Sequence, residues 1–280
     1  MHSLLFVPAS MPRMFDKARA SGASVVIFDL EDAVRPSMKE EARRILAQHL
    51  AQRGVEPATA IRVNGLETDW CAADIELVRA LRPDFVMLPK AGGPHDVARL
   101  AEQLAVPPDS GAAVRDILVV ATETAGSVLS LAASDWRHPR LKGLLWGAED
   151  LAADLGATAN RDPDGHYSGP FRLARDLCLM AARKAGVLAI DAVHTGLRDL
   201  TDLRREASTA RRDGFDAKAA IHPAQVAVIN EVFRPDAAER GWAEAVLSSL
   251  AASESGVAMV DGAMVDAPHA ARARRILGVF

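Results

Sequence analysis

Eight short apolar runs recur along this chain, and each is followed by a stretch with helical periodicity. They are LLFV (4–7), VVIF (25–28), AIRV (60–63), FVML (85–88), ILVVA (117–121), GLLW (143–146), VLAI (187–190) and KAAI (218–221). Between them lie amphipathic segments such as MKEEARRILAQHLAQR (38–53), in which Ala42, Ile45, Leu46 and Leu50 fall on one face. Runs this short and this uniformly apolar suit strands buried on both sides. Strands alternating with helices in this number predict a (β/α)8 TIM barrel. The other arrangement of such units, a doubly wound sheet, is disfavoured because no GxGxxG turn follows the first run.

The chain has 280 residues and is 49% hydrophobic, enough for a barrel of ordinary size with an extension. The barrel is expected over residues 1–234, with a small lid of helix, hairpin and helix over 235–280. Within that tail, Asp261-Gly262 stands between alternating apolar positions, a two-residue hairpin signal. The segment DLGATANRDPDGHYSGP (154–170) lacks periodicity and reads as a long loop after the sixth strand. A net charge of −4 gives no electrostatic reason to expect nucleic acid, and no apolar run nears the ~20 residues that span a bilayer. The amino terminus lacks a basic leader, and Cys71 and Cys178 fit neither a disulfide framework nor a zinc spacing. A cytoplasmic protein is the expectation.

Barrel chemistry gathers where strands end. Those ends carry Asp29, Glu31 and Asp32, then Arg62 and Asn64, Lys90, Glu123, Glu149 and Asp150, Asp191, and His222. A rim charged at nearly every strand points to an enzyme. Glu123 and Asp150 follow adjacent strands, close enough to share a cation; two carboxylates completed by water and substrate suit Mg²⁺. Spacing alone leaves open that they only cap the helices that follow. Arg62 suits a substrate carboxylate or simple neutralisation of the acids. Arg13 and Lys17, four apart, are expected on one helix face, either on a phosphate-bearing tail or in solvent. Trp146 is expected in barrel packing or on a pocket wall, and His222 in a local cap.

The motifs SLLFVPASMPRMFDKA, VIFDLEDAV, IRVNG, MLPKAGG, ETAGSVL, WGAEDLAADLG, GFDAKAAIHPAQV and GAMVDAP, in this order, resemble the CitE-like family of the HpcH/HpaI aldolase superfamily. That family holds the citrate lyase β subunit, malyl-CoA lyase and citramalyl-CoA lyase. The resemblance implies a (β/α)8 barrel with a lid, assembled as a homotrimer or dimer of trimers in which each lid docks on a neighbour. It implies Mg²⁺, replaceable by Mn²⁺, on Glu123 and Asp150, with Glu31 and Asp32 around its water ligands. Arg62 would be catalytic and bind the substrate carboxylate, with Glu123, Gly147, Ala148 and Lys90 also contacting the substrate. Asp266 of GAMVD would be the catalytic residue of the lid, and Arg13 and Lys17 would hold the tail of coenzyme A, a part of the substrate. The implied reaction is reversible cleavage of a 3-hydroxyacyl-CoA into a 2-oxoacid and an acyl-CoA. Alternatives on the same scaffold are a malyl-CoA thioesterase and a carrier-dependent citrate lyase β-type subunit. Two departures stand out: Ala9 where a glycine is common, and His194 and Gly196 in AIDAVHTG where bulkier or acidic residues are common.

Overall fold

The computed structural model describes residues 1–50, 57–105, 116–197 and 200–278. All eight apolar runs are strands: β1 (Ser3–Pro8), β2 (Val25–Asp29), β3 (Ala58–Arg62), β4 (Phe85–Leu88), β5 (Asp116–Val120), β6 (Leu141–Leu145), β7 (Leu188–Asp191) and β8 (Ala217–Ala220). Each pairs in parallel with the next, and β8 returns to β1, so the sheet closes into a (β/α)8 barrel. Alternation along each strand divides the core in two. Leu4, Val25, Ile27, Ala60, Met87, Leu118 and Ile190 fill the barrel interior. Their sequence neighbours, such as Leu5, Val26, Phe28, Ile61 and Val119, pack outward beneath the helices.

The helices fall where the periodicity predicts. They are α1 (Phe15–Arg19), α2 (Lys39–Leu50), α3 (Cys71–Leu81), α4 (Pro94–Gln103), α5 (Ala125–Ala133), α6 (Glu149–Asp154), α7 (Gly169–Ala185), α8 (Leu200–Asp213) and α9 (Pro223–Phe233). On α2, Ala42, Leu46 and Leu50 are buried and Ile45 partly so; the predicted stretch's last three residues, 51–53, lie outside the described residues. Gly143 sits where a Cβ would come within 3.0 Å of Ile190 Cδ1 and 3.1 Å of Leu118 Cδ2, so any larger residue would push on those side chains in the barrel interior. The 154–170 segment ends α6, runs as loop with one bridge between Arg161 and Tyr167, and enters α7.

Residues Met1–Phe233 form one compact unit and Arg234–Phe280 a second. The second holds α10 (Ala237–Ala251), β9 (Ala258–Val260), β10 (Ala263–Val265) and α11 (Ala267–Leu277), with its own core of Ala243, Val246, Val260, Val265 and Ala273. Asp261 and Gly262 carry φ of 50° and 78°, the paired left-handed geometry of a tight hairpin turn. Among the described residues, no helix is long and apolar enough to cross a membrane.

Candidate active site

The site starts from one register pair. Asp29 closes β2 directly opposite Arg62, which closes β3. The Asp29 carboxylate takes Arg62 Nε and Nη2, each at 2.7 Å, and also accepts the backbone N–H groups of Glu31 (2.9 Å) and Ala33 (3.2 Å). One buried acid therefore shapes the loop after β2 and fixes the guanidinium. The guanidinium lies 5.0 Å from the centre of the Phe6 ring. Its Nη1, 3.2 Å from Glu31 Oε2, and the second Nη2 hydrogen remain as donors for an incoming carboxylate.

Beyond this pair the acids crowd together. Lys90 Nζ bonds Glu31 Oε1, lies 3.1 Å from Asp32 Oδ2 and comes within 3.7 Å of Asp150 Oδ1. Burial raises the Glu31 pKa despite Arg62, and Glu31 Oε2 is buried without a hydrogen bond. Burial would also raise Asp32, but hydrogen bonds from Lys90 and Glu31 bring it below its ordinary value. Burial works against the Lys90 ammonium too, and its bonds to Glu31 and Asp32 outweigh this and raise its pKa. Lys90 itself sits at φ 52°, a left-handed conformation unusual for a side chain of this size. That conformation accompanies a hydrogen bond from its backbone N–H to Glu123 Oε2.

Glu123 is buried, and its pKa is raised to about 8, first by desolvation, with the charge of Asp150 adding to it. It does not cap α5, because Thr124 does: Thr124 Oγ1 accepts from Ser127 N at 3.0 Å. Nor does Asp150 cap α6, whose N-cap is Ala148. Thr122 laces the ends of β5 and β6 together, accepting from Gly147 N (2.8 Å) and donating to Gly147 O (2.9 Å). This lacing holds Gly147 and the buried Ala148 against β5, in the turn that brings Asp150 beside Glu123.

These residues fit a divalent cation. Five carboxylates (Asp29, Glu31, Asp32, Glu123 and Asp150) gather around the guanidinium of Arg62 and the ammonium of Lys90, with the Lys39 ammonium beneath them. All the donors are hard oxygens. Among the described residues no three His, Cys, Asp or Glu side chains converge as a metal cage. Glu123 and Asp150 would leave most positions to water and substrate, as Mg²⁺ prefers.

Several predicted positions land elsewhere. Asp191 closes β7 as expected but points outward, where it accepts from Lys218 Nζ (2.7 Å) and Trp146 Nε1 (2.7 Å). Trp146 accordingly packs in the wall, edge-on to Tyr167 at 4.7 Å. His194 is buried 3.1 Å from Glu206, so it joins this outer network. Arg13 lies in the 3₁₀ turn Pro12–Met14 ahead of α1, so it does not share a helix with Lys17; Pro12 opens that turn, and both basic side chains are exposed. His222 does act locally, its Nδ1 accepting from Ala224 N at 3.2 Å. Lys39 is the residue the sequence reading misses. Its buried Nζ bonds Leu30 O (2.7 Å), Glu31 O (2.8 Å) and Asn64 Oδ1 (2.6 Å), so it supports the acidic loop from below.

Residues 2–223 match the family described as HpcH/HpaI aldolase/citrate lyase. The chain belongs to that family. Among its relatives, a (3S)-malyl-CoA thioesterase of Cereibacter sphaeroides (strain KD131) is 38% identical over 281 residues, covering 98% of this chain and 93% of the relative. A citrate lyase subunit beta-like protein of Mycobacterium tuberculosis is 37% identical over 276 residues, with the same coverages. The crystal structure of CitE from Mycobacterium tuberculosis in complex with magnesium, acetoacetate and coenzyme A has a TM-score of 0.81 and 36% identity, covering 99% of this chain and 97% of that one.

Proposed function

We propose that this protein is a Mg²⁺-dependent carbon–carbon lyase that reversibly cleaves a 3-hydroxyacyl-CoA of the malyl, citramalyl or citryl type into a 2-oxoacid and an acetyl- or acyl-CoA. The observation that carries this reading is the juxtaposition of Glu123 and Asp150 with Arg62 in an acid-rich barrel mouth. Glu123 and Asp150 would hold a magnesium ion, which would supply Lewis-acid chemistry to the bound oxoacid. Arg62, fixed by Asp29, binds the same carboxylate and stabilises charge that grows on oxygen as the bond breaks. Glu31, Asp32 and Lys90 order the surrounding water. Gly147 and Ala148 form the floor beneath the oxoacid.

Cleavage leaves a thioester enolate that needs a proton at its α-carbon, and condensation removes that proton. Asp266 is our candidate for this exchange, delivered by the C-terminal unit of a neighbouring copy acting as a lid within a homotrimer or dimer of trimers. Support comes from its place in GAMVDAP and from its half-exposed carboxylate at the start of α11. Arg13 and Lys17 are exposed cations suited to the phosphates of the CoA tail. Free, buried Cys71 and Cys178 agree with a reducing, cytoplasmic setting.

A second reading has its own support, since a (3S)-malyl-CoA thioesterase relative is 38% identical to this chain. On that reading activated water attacks the thioester instead. Incubation with malyl-CoA or citramalyl-CoA and Mg²⁺ separates the two. Glyoxylate or pyruvate release, abolished by EDTA, is the expected result; free malate or citramalate without oxoacid would establish the thioesterase. Turnover of a CoA ester by the isolated protein would also exclude the remaining alternative, a carrier-dependent subunit like the proteins named citrate lyase subunit beta, which are 31% identical in sequence to this chain.

A further inference from the structure

Asp266 begins α11, and three residues later stands His269. That is the position from which a capping-box side chain reaches back to the first residue's backbone N–H, usually as Glu or Gln. A glutamate there would repel Asp266. His269 Nδ1 does meet Asp266 N at 3.3 Å, but it meets the carboxylate itself far more closely, at 2.6 Å from Oδ1. Two lone pairs cannot approach to that distance, so a proton lies between the imidazole nitrogen and the carboxylate oxygen. Both side chains remain partly open, 40% and 37% exposed. His269 shares a groove of about 410 Å³ with Glu239, Trp242, Met264 and Arg272, and the Arg272 guanidinium lies over the Trp242 ring at 4.7 Å.

We propose that His269 is a positioning residue for Asp266: its Nδ1–H occupies Oδ1, so that the other carboxylate oxygen, Oδ2, exchanges the proton with the thioester α-carbon. This inference rests on the reading of Asp266 as the proton-transfer group. In condensation the α-carbon proton passes to Oδ2 and leaves the enolate; in cleavage the same proton returns. The proton on the Nδ1–Oδ1 line stays in place throughout; the proton that the β-oxygen gains in condensation, or loses in cleavage, balances the one Oδ2 takes from, or returns to, the α-carbon, and the two exchange through water.

The test compares H269A, H269N and D266N by solvent-deuterium exchange into the acyl-CoA α-carbon, by kcat and KM, and by thermal unfolding. H269A is expected to lose about a hundredfold in kcat and exchange with KM for the thioester unchanged, because the carboxylate loses its orientation. H269N, whose amide N–H can stand in for Nδ1–H, is expected to recover most of that loss. A fall in thermal stability with wild-type exchange in H269A would reduce His269 to a helix cap and overturn the proposal. Exchange lost in D266N but kept in H269A overturns this inference alone; exchange kept in D266N overturns both it and the role of Asp266. Without turnover, ¹⁵N NMR is expected to show Nδ1 protonated in the wild type, and an unprotonated Nδ1 would equally overturn it.

Discussion

Asp29 does more than add to the negative charge that follows β2. It spends both oxygens on Arg62 and on the loop's N–H groups, so Asp29→Ala would strand a buried guanidinium and two backbone donors at once. Breaking a buried pair in this way costs about 3–5 kcal/mol, which urea unfolding would measure. Arg62→Lys keeps the charge but loses the fork, and about a hundredfold loss in kcat is expected. Glu123 carries the pH dependence. Its folded pKa of about 8 lies above the ordinary 4.5, so between those values the folded chain keeps a proton that the unfolded chain has released. Stability of the metal-free protein from this group should therefore be highest below pH 4.5 and fall as pH rises toward 8. Thermal unfolding across that range is expected to show the slope, and E123Q to flatten it. Because Mg²⁺ needs the carboxylate, its affinity should rise over the same interval.

The lacing of β5 to β6 and the caps that follow set where the two proposed metal ligands stand. Thr124→Ala removes the α5 cap and is expected to cost about 1 kcal/mol in unfolding free energy. Its loss in activity should exceed that of a comparable surface cap, because Glu123 is its neighbour. In the second unit, Gly262→Ala forces a side chain into φ 78° and should cost about 1–3 kcal/mol. Hydrogen exchange is expected to rise over 258–277 while barrel amides stay protected. The strands were legible because burial on both faces leaves an unbroken apolar run, and their charged ends were legible for the same reason. Which end residues point inward depends on parity. Ile190 fills the barrel, so Asp191 must face outward to Lys218, a step that alternation could have supplied. Lys39 was illegible. It stands in a helical first turn that looks solvated, and its three acceptors come from Leu30, Glu31 and Asn64 in other parts of the chain.

Across the whole barrel, charge is distributed unevenly. The carboxylates from β2, β5 and β6 outnumber the cations that face them, and Lys90 alone bridges three of them. The guanidinium of Arg62 and this ammonium share the counter-charge, and a divalent ion entering beside Glu123 and Asp150 would relieve a repulsion built into the fold. On either proposed reading, lyase or thioesterase, the proposed ion would polarise an electrophile at this mouth. The claim beneath both is that Glu123 and Asp150 hold the ion. Calorimetric titration of the wild type, E123Q and D150N with Mg²⁺ in the presence of pyruvate or glyoxylate tests it directly. The account expects one ion per chain in the wild type and at least a tenfold weaker binding in each folded variant. Unchanged affinity in both would contradict it.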